Sequence, residues 1–145
     1  MKIIDTNLLV YAYVPALPQH PVARRWFEQT LTEDESVGLA WTSVLGFVRV
    51  VTNPRIFRVP LLIDRAVAVV DSWFQQPSVE IIQPTPRHWS TLREMLTKGK
   101  AGGPLTTDAH LATLAVEHGA TVFSTDRDLL RFPGIRVINP LESLK

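Results

Sequence analysis

The sequence predicts an α/β fold in which a small, mostly parallel sheet is covered by helices on both faces. Short apolar segments alternate along the chain with longer segments of helical periodicity. Neighbouring parallel strands need helix-sized crossovers, so this alternation is typical of a parallel sheet between helical layers. At 145 residues the chain has the length of one domain, and we expect residues 1–145 to form a single domain.

Five short apolar segments are predicted to be the strands. They occupy residues 2–5, 37–40, 79–82, 122–124 and 136–138. The predicted helices occupy residues 6–14, 21–31, 43–52, 62–75, 86–97 and 108–118. Pro21 and Pro86 fit first turns, where a missing N–H costs nothing, and Gly99 and Gly119 fit the positions just past helix ends. We expect a Gly-rich loop at 98–104, a cap from Thr106 or Thr107 on the last helix, and a tail at 141–145.

Three of these helices show apolar faces that predict burial. The predicted buried sets are Val22, Trp26 and Phe27; Val44, Leu45, Phe47, Val48 and Val51; and Ala66, Val69, Val70, Trp73 and Phe74. The faces that carry Trp26 and Trp73 also suit contacts with a second copy or another protein. The sequence does not separate that role from core burial.

Composition excludes several classes of protein. The net charge of +1 is too small to hold a polyanion by bulk electrostatics, so any nucleic-acid binding needs local basic patches. The absence of cysteine excludes disulfides and thiolate metal sites. No apolar run approaches the roughly 18 residues that span a membrane, and Met1 to Asp5 lacks the layout of a signal peptide. We therefore expect a cytoplasmic protein without a membrane partner.

Four aspartates stand at the ends of predicted strands and helices. Asp5 ends the first strand, Asp108 begins the last long helix, and Asp126 and Asp128 follow the fourth strand. The carboxyl ends of parallel strands meet at one edge of a sheet, so these side chains are expected to converge. Converging carboxylates repel one another unless a hard cation neutralises them, and oxygen ligands suit Mg²⁺ or Mn²⁺. Such an ion activates water and neutralises charge on a phosphoryl oxygen.

Each aspartate taken alone also has an ordinary structural explanation. Asp5 suits an N-cap, Asp108 suits the first turn of a helix, and Asp126 and Asp128 suit a turn. Their coincidence at the ends of successive α/β elements favours a metal site over three unrelated local roles.

The order and spacing of these motifs resemble the PIN-domain nucleases. The resembling segments are Asp5-Thr6-Asn7, Thr107-Asp108-Ala109-His110-Leu111-Ala112 and Ser124-Thr125-Asp126-Arg127-Asp128-Leu129. Two further segments, residues 41–55 and 132–140, are similar to a subgroup of bacterial VapC toxins. The resemblance implies a three-layer α/β/α PIN-like fold and a Mg²⁺-dependent endoribonuclease that cuts structured RNA such as tRNA or rRNA. It also implies a toxin that forms homodimers and is neutralised by a cognate VapB-like antitoxin.

The resemblance also implies roles for individual residues. Asp5 and Asp108 match the principal metal ligands, and Asp126 matches the third acid, with Asp128 supporting the catalytic set. Thr6, Asn7 and Thr125 match positions that orient the carboxylates or water.

One position departs from the pattern of many PIN nucleases. These carry a glutamate on the helix after the second strand, where this chain has Gly46. The loss favours a smaller metal site and leaves a non-catalytic PIN-like interaction module as an alternative. Arg49, one turn later, suits either a contact with phosphate or carboxylate or an ordinary surface position. A phospho-receiver domain fits less well, because such domains need paired acids after an early strand and a lysine after the last strand.

Two loops offer basic residues for RNA contact. Arg55 and Arg58 flank Phe57, and Lys98 and Lys100 lie among glycines. Basic groups beside an aromatic ring suit phosphate contact and base stacking, although solvated loop charges explain them equally well. The four histidines lack paired ligand spacing and are expected at the surface or in satisfied structural positions.

Overall fold

The computed structural model describes residues 1–142 and contains a five-stranded sheet with the strand order β3-β2-β1-β4-β5. The strands are β1 (Lys2–Ile4), β2 (Val37–Leu39), β3 (Val79–Ile81), β4 (Thr121–Phe123) and β5 (Arg136–Ile138). All four strand pairs are parallel. This order differs from the 2-1-3-4-5 order of receiver-type folds, which argues against the phospho-receiver alternative.

Six helices connect the strands, as predicted. They are α1 (Thr6–Tyr13), α2 (His20–Thr32), α3 (Trp41–Val51), α4 (Ile63–Phe74), α5 (His88–Lys98) and α6 (Thr106–His118). Two short 3-10 helices, Gly103–Leu105 and Arg127–Arg131, precede α6 and follow β4. None of the helices in residues 1–142 combines the length and the hydropathy needed to cross a lipid bilayer.

Successive residues of the central strands enter two different cores. Ile4 and Phe123 pack with residues of α1 to α4, whereas Ile3 and Val122 pack with residues of α5 and α6. Side chains of a strand point alternately to opposite faces of the sheet, so one sheet serves both cores. The predicted three-layer α/β/α fold is confirmed.

An aromatic cluster fills the core beneath α1 to α4. Trp73 and Phe27 are fully buried, and Phe47 lies edge-on to Trp73 with ring centroids 4.8 Å apart. Trp73 Nε1 donates to the Tyr13 hydroxyl at 3.0 Å, which satisfies its only donor. Trp26 is only 9% exposed. The faces that carry Trp26 and Trp73 are therefore core faces and not contact surfaces.

The predicted burial of Phe74 and Leu45 is wrong. Phe74 is 39% exposed and Leu45 is 64% exposed, while Val22, Val48 and Val70 are only partly buried. The buried stripe of α4 consists of Ala66, Val69 and Trp73. Phe74 lies about 100° around the helix from Trp73, which turns it away from that narrow stripe. It packs instead against Trp41, with ring centroids 6.3 Å apart.

The start of α6 also differs from the prediction. The helix begins at Thr106, so Thr106 and Thr107 lie within its first turn, and Leu105 precedes it without a side-chain cap. The 3-10 helix at Gly103–Leu105 leads directly into α6 and takes the place of a capping side chain. The other end matches the prediction, since Gly119 terminates α6 at φ 58°. Of the predicted tail, residues 143–145 lie outside the described part.

Candidate active site at the carboxyl edge of the sheet

The order in which strands are added to the sheet reverses at the neighbouring strands β1 and β4. From β1 the chain builds outward through β2 and β3 and then returns to place β4 on the other side of β1. Ligand sites of open α/β sheets lie outside the carboxyl ends of the strands at such a switch point. Asp5 directly follows β1, and its backbone N–H donates to the carbonyl of Phe123 in β4 at 3.0 Å. Asp5 therefore stands at the switch point.

The Asp5 carboxylate is held by three hydrogen bonds. Its Oδ1 accepts from the Thr6 backbone N–H at 2.8 Å, and its Oδ2 accepts from Ser124 Oγ at 2.7 Å and Asn7 Nδ2 at 3.1 Å. Burial raises the pKa of Asp5 more than the bonds from Ser124 and Thr6 lower it, and the charge of Asp126 raises it further. The side chain is fixed in position but resists ionisation.

Ser124 joins the loops after β1 and β4, and it was not among the candidates from sequence. Its side chain is buried, donates to Asp5, and accepts from the Asp126 backbone N–H at 2.9 Å and Asn7 Nδ2 at 3.0 Å. Asn7 Oδ1 also accepts from the Thr125 backbone N–H at 3.2 Å. A small hydroxyl residue between a buried strand and an aspartate was the sequence signal for this role. Ser124 and Asn7 together set the position of Asp5.

Asp108 lies in the first turn of α6 and shares a small cleft with Asp5, Thr6, Ser43 and Thr107. Its pKa is raised to about 6, first by burial and then by the charges of Asp126, Asp5 and Asp128, with Arg131 opposing the rise. The structure therefore brings all four predicted aspartates into electrostatic range of one another.

Asp126 and Asp128 take different positions in this group. Asp126 is partly buried, and its Oδ1 accepts from the Asp128 backbone N–H at 2.9 Å. The Asp128 side chain is exposed and pairs with Arg131, Nη2 to Oδ1 at 3.3 Å. Arg131 also donates to the Gly99 carbonyl at 3.2 Å, which ties this turn to the loop after α5. Asp126 faces the site, whereas Asp128 acts at its rim.

The donor chemistry of the site fits a hard divalent cation. The charge of Asp126 raises the pKa of Asp5 and of Asp108, and the charge of Asp5 also raises that of Asp108, whereas Arg131 lowers it. Such uncompensated oxygen donors favour Mg²⁺ or Mn²⁺. Within residues 1–142, no three His, Asp or Glu side chains already form a closed metal-binding group. Carboxylates that repel one another are expected to stand apart in the protein alone.

Gly46 packs directly against Thr6. A Cβ at position 46 would lie 2.8 Å from Thr6 Oγ1, and that hydroxyl donates to the Ser43 carbonyl at 3.2 Å. A glutamate at position 46 would therefore require Thr6 to move. Thr6 contacts α3 through its hydroxyl, and it contacts Asp5 through its backbone N–H. Arg49 is exposed and has no ion pair within the part of the chain that the structure describes.

The two basic loops lie at different distances from the carboxylates. Arg55 and Arg58 follow the end of α3, which lies roughly 8–12 Å along the helix from Gly46 and Ser43, the residues that contact Thr6. Lys98 and Lys100 lie in the loop that Arg131 contacts through Gly99, and that loop leads into α6. Lys98 pairs with Glu94 at 2.5 Å, whereas Lys100 is exposed. The 98–100 loop adjoins the site, and the 55–58 loop does not.

The histidines occupy satisfied positions, as expected. His88 Nδ1 contacts Glu117 Oε1 at 2.5 Å, and His88 Nε2 contacts His110 Nδ1 at 2.8 Å. His20 and His118 contact the backbone carbonyls of Tyr11 and Gln83. His88 on α5 thus contacts both His110 and Glu117 of α6 and joins the two helices.

Comparisons with known proteins agree with this fold and identify the family. The sequence model of the PIN domain family matches residues 2–135. Ribonuclease VapC37 of Mycobacterium tuberculosis is 41% identical over 140 residues, which cover 97% of each chain. Ribonuclease VapC33 of the same species is 36% identical over 141 residues, which cover 97% of this chain and 99% of VapC33.

Solved structures show the same fold at lower sequence identity. VapBC2 from Rickettsia felis, bound to a DNA fragment from its promoter, has a TM-score of 0.67 and 17% identity over 95% of this chain and 97% of the matched one. VapC20 of M. tuberculosis, a toxin that cleaves the sarcin-ricin loop, has a TM-score of 0.65 and 16% identity over 94% of this chain and 99% of its own. The family match and the close relatives together show that this chain belongs to the PIN-domain family and, within it, to the VapC group.

Proposed function

We propose that this chain is a Mg²⁺-dependent endoribonuclease, with Mn²⁺ as a possible substitute. The observation that carries the proposal is the group of uncompensated carboxylates Asp5, Asp108 and Asp126 at the switch point of the sheet. The relatives named as ribonucleases support the same activity. A hydrolase of this kind needs oxygen ligands at a rigid edge, and Ser124 and Asn7 supply that rigidity.

In this proposal each residue has one defined task. Asp5, Asp108 and Asp126 are the residues that hold the cation, which supplies Lewis-acid polarisation of a phosphate oxygen and a more acidic water at neutral pH. Ser124 and Asn7 orient Asp5, and Asp126 orders the turn that carries Asp128. Asp108 must be ionised to serve as a ligand. Because its pKa without metal is raised to about 6, the affinity for the cation should rise with pH through that value.

The proposed biological role is that of a toxin neutralised by a cognate VapB-like antitoxin, in an assembly that contains a toxin homodimer. An exposed apolar surface supports it. The α3–α4 surface, as we call it, consists of Trp41, Leu45, Ile63, Val67 and Phe74, each between 39% and 64% exposed. A monomer rarely exposes so many large apolar side chains on two adjoining helices, so this surface suits a protein partner. Several solved neighbours in fold are VapBC complexes.

We propose structured RNA, tRNA or rRNA, as the substrate. VapC20 is described as cleaving the sarcin-ricin loop, and it shares the fold. The exposed Lys100 lies in the loop that Arg131 contacts through Gly99, and there it suits contact with a phosphate next to the cut. Arg55 and Arg58 would have to contact a more distant part of the RNA.

The experiment that tests this function is cleavage of purified tRNA and rRNA by antitoxin-free protein in Mg²⁺. An Asp108→Asn variant and a chelator arm should abolish all discrete fragments, and Asp71→Asn, an exposed aspartate on α4, should cut like wild type. Fragments that persist in Asp108→Asn would point to a contaminating nuclease and remove the support for the site.

The alternative function is a non-catalytic interaction module, and Gly46 is the feature that favours it. Folded wild type that binds Mg²⁺ but cuts neither RNA pool, in Mg²⁺ or Mn²⁺, would support this alternative. The contact between Gly46 and Thr6 leaves no room for a glutamate at position 46 unless Thr6 moves.

A further inference from the structure

A second depression opens beside the carboxylates, between the ends of β4 and β5. We call it the β4–β5 pocket; its walls include Asp126, Arg127, Leu130, Val137, Asn139 and Glu142. Asp126 thus belongs both to this pocket and to the carboxylate group. Any ligand whose phosphate lies at the carboxylates can therefore place an adjoining group in the pocket.

The size of the pocket and its two aliphatic residues, Leu130 and Val137, suit one planar ring system. Its volume is about 140 Å³, close to the roughly 150 Å³ of a protein cavity that takes up one benzene ring. Leu130 is 61% exposed although it is a large aliphatic residue, and Val137 is partly buried opposite it. Two aliphatic side chains beside a polar rim can cover the face of a nucleobase and leave its edge to polar groups.

The polar rim presents a donor, an acceptor and a cation. Asn139 Oδ1 accepts from the Leu141 backbone N–H at 3.0 Å. This bond fixes the orientation of the amide and leaves its Nδ2 group available as a donor. Within residues 1–142 that Nδ2 group has no partner, and Glu142 and Arg127 are exposed without an ion pair. A carboxylate only accepts hydrogen bonds, and a guanidinium only donates them. The unpaired groups are therefore complementary to a ligand that carries both donors and acceptors.

We propose that the β4–β5 pocket binds an unpaired guanine base beside the phosphodiester that is cut, an inference that rests on the proposed function. The Watson–Crick edge of guanine has two adjacent N–H donors, which match the two oxygens of the Glu142 carboxylate. Its O6 acceptor matches the Asn139 Nδ2 donor. Arg127 contacts the phosphate of the same nucleotide, as arginine commonly does.

The other bases match this rim less well. Adenine and cytosine each offer one amino donor to the carboxylate, and uracil offers one ring N–H. Only guanine engages both oxygens of Glu142 at once, and a bidentate pair discriminates more strongly than a single bond. The pocket therefore predicts a base preference and not only nucleic-acid affinity.

The first test measures direct binding of 5′-GMP, 5′-AMP, 5′-CMP and 5′-UMP by NMR titration. The Asp108→Asn variant serves as the background, so that the result does not depend on cleavage. We expect 5′-GMP to bind about 10-fold more tightly than the others. Glu142→Gln and Asn139→Asp should each remove most of that preference. Asn139→Asp keeps the oxygen that Leu141 needs, and Glu80→Gln, an exposed residue of β3, is the matched control that should keep the preference.

The second test maps cut sites in a pool of hairpin RNAs with randomised loops. Wild type should enrich guanine at one fixed position beside the cut, and Glu142→Gln should flatten that position alone. Equal binding of the four monophosphates, or a preference that survives Glu142→Gln, would overturn the pocket even if the protein cuts RNA. Guanine-selective binding without cleavage in the pool would instead overturn the proposed ribonuclease function and leave the guanine pocket standing.

Discussion

Helix α6 carries a partly buried carboxylate near each end, and their surroundings are opposite. Glu117, in the last turn, accepts hydrogen bonds from the backbone N–H and the hydroxyl of Thr85 and contacts His88. Burial disfavours its charge, but these bonds from Thr85 and His88 prevail and lower its pKa. Asp108, in the first turn, has a pKa raised to about 6, first by burial and then by the charges of Asp126, Asp5 and Asp128.

The difference between Asp108 and Glu117 shows that a cluster of titratable groups does not by itself mark a functional site. Thr85 and His88 compensate the charge of Glu117, and His88 joins α5 to α6, so this arrangement is explained by stability. In the carboxylate group, the hydrogen bonds to Asp5 do not offset its burial, and Asp108 has a raised pKa, which makes the group costly to the protein alone and suited to a cation. Exchanging one carboxylate at a time tests this contrast.

The largest expected effect is on RNA cleavage. Asp108→Asn should lower the cleavage rate at least about 100-fold, because a lost ligand removes several kcal/mol of stabilisation of the transition-state charge. Glu117→Gln should stay within about 3-fold of wild type, because Glu117 lies in the last turn of α6 and Asp108 in the first. A 3-fold change is less than about 1 kcal/mol, since about 1.4 kcal/mol gives a tenfold change. Initial rates on one purified tRNA pool, with each variant checked for folding by circular dichroism, give both numbers. A loss in Glu117→Gln as deep as that in Asp108→Asn would break the contrast.

The free energy of unfolding should be lowered by the exchange of Glu117 and not by the exchange of Asp108. Glu117→Gln should lower the free energy of unfolding by about 1–3 kcal/mol, because the side chain is only 4% exposed and its hydrogen bonds would be left incomplete. The measurement is urea unfolding at pH 7.5, with Glu80→Gln as the exposed control. An unchanged midpoint would show that the cluster at the end of α6 does not stabilise the fold.

A divalent ion should stabilise the folded protein only when the carboxylate site is intact. Adding Mg²⁺ or Mn²⁺ at about ten times its Kd should stabilise wild type by about 1.4 kcal/mol, and Glu117→Gln should gain the same amount. Asp108→Asn should gain much less, since it lacks one of the proposed ligands. Thermal unfolding with and without the ion measures each gain, with Ca²⁺ as a test of the preference for a smaller ion. Equal gains in wild type and Asp108→Asn would place the ion elsewhere.

The smallest expected effect is the difference in the free energy of unfolding between Asp108→Asn and wild type, and how that difference changes with pH. The folded pKa of Asp108 is about 6 and its ordinary value is 3.8, so between these values the folded state binds more protons than the unfolded state. Ionised Asp108 therefore destabilises the fold above about pH 6, and this cost fades toward pH 3.8. Without metal, Asp108→Asn should be more stable than wild type by about 0.5–1 kcal/mol at pH 7.5, as for partly exposed charges.

The stability gap between Asp108→Asn and wild type should narrow at pH 5.5. Unfolding at both pH values in a chelator measures it, and Asp71→Asn is the control for removing an exposed aspartate. A gap that widens as the pH falls would contradict the assigned sign. Glu117→Gln should remain less stable than wild type at both values, because the lowered pKa of Glu117 keeps it ionised in the folded state.

Apolar periodicity, together with proline and glycine, determined the helices and strands of this protein. Every predicted strand and helix exists, because apolar spacing and the positions of proline and glycine act within a few residues of the chain. The positions of Asp5, Asp108 and Asp126 at element ends were also readable, since parallel strands must end at a common edge. The predicted burial of Phe74 and Leu45 was wrong. Helical spacing shows which residues share an apolar face, but it does not show how much of that face the neighbouring layer covers.

Only the tertiary structure decided which polar groups meet. Ser124 and Asp5 are 119 positions apart and share a 2.7 Å hydrogen bond, and His88 and Glu117 pair across two helices. The strand order placed the loops after β1 and β4 side by side, and it also opened the pocket between Asp126 and Glu142. Contacts of this kind depend on how elements pack over long chain separations. Local sequence carries little information about them, so the carboxylates and Asn7 could be named from sequence, but the supporting role of Ser124 could not.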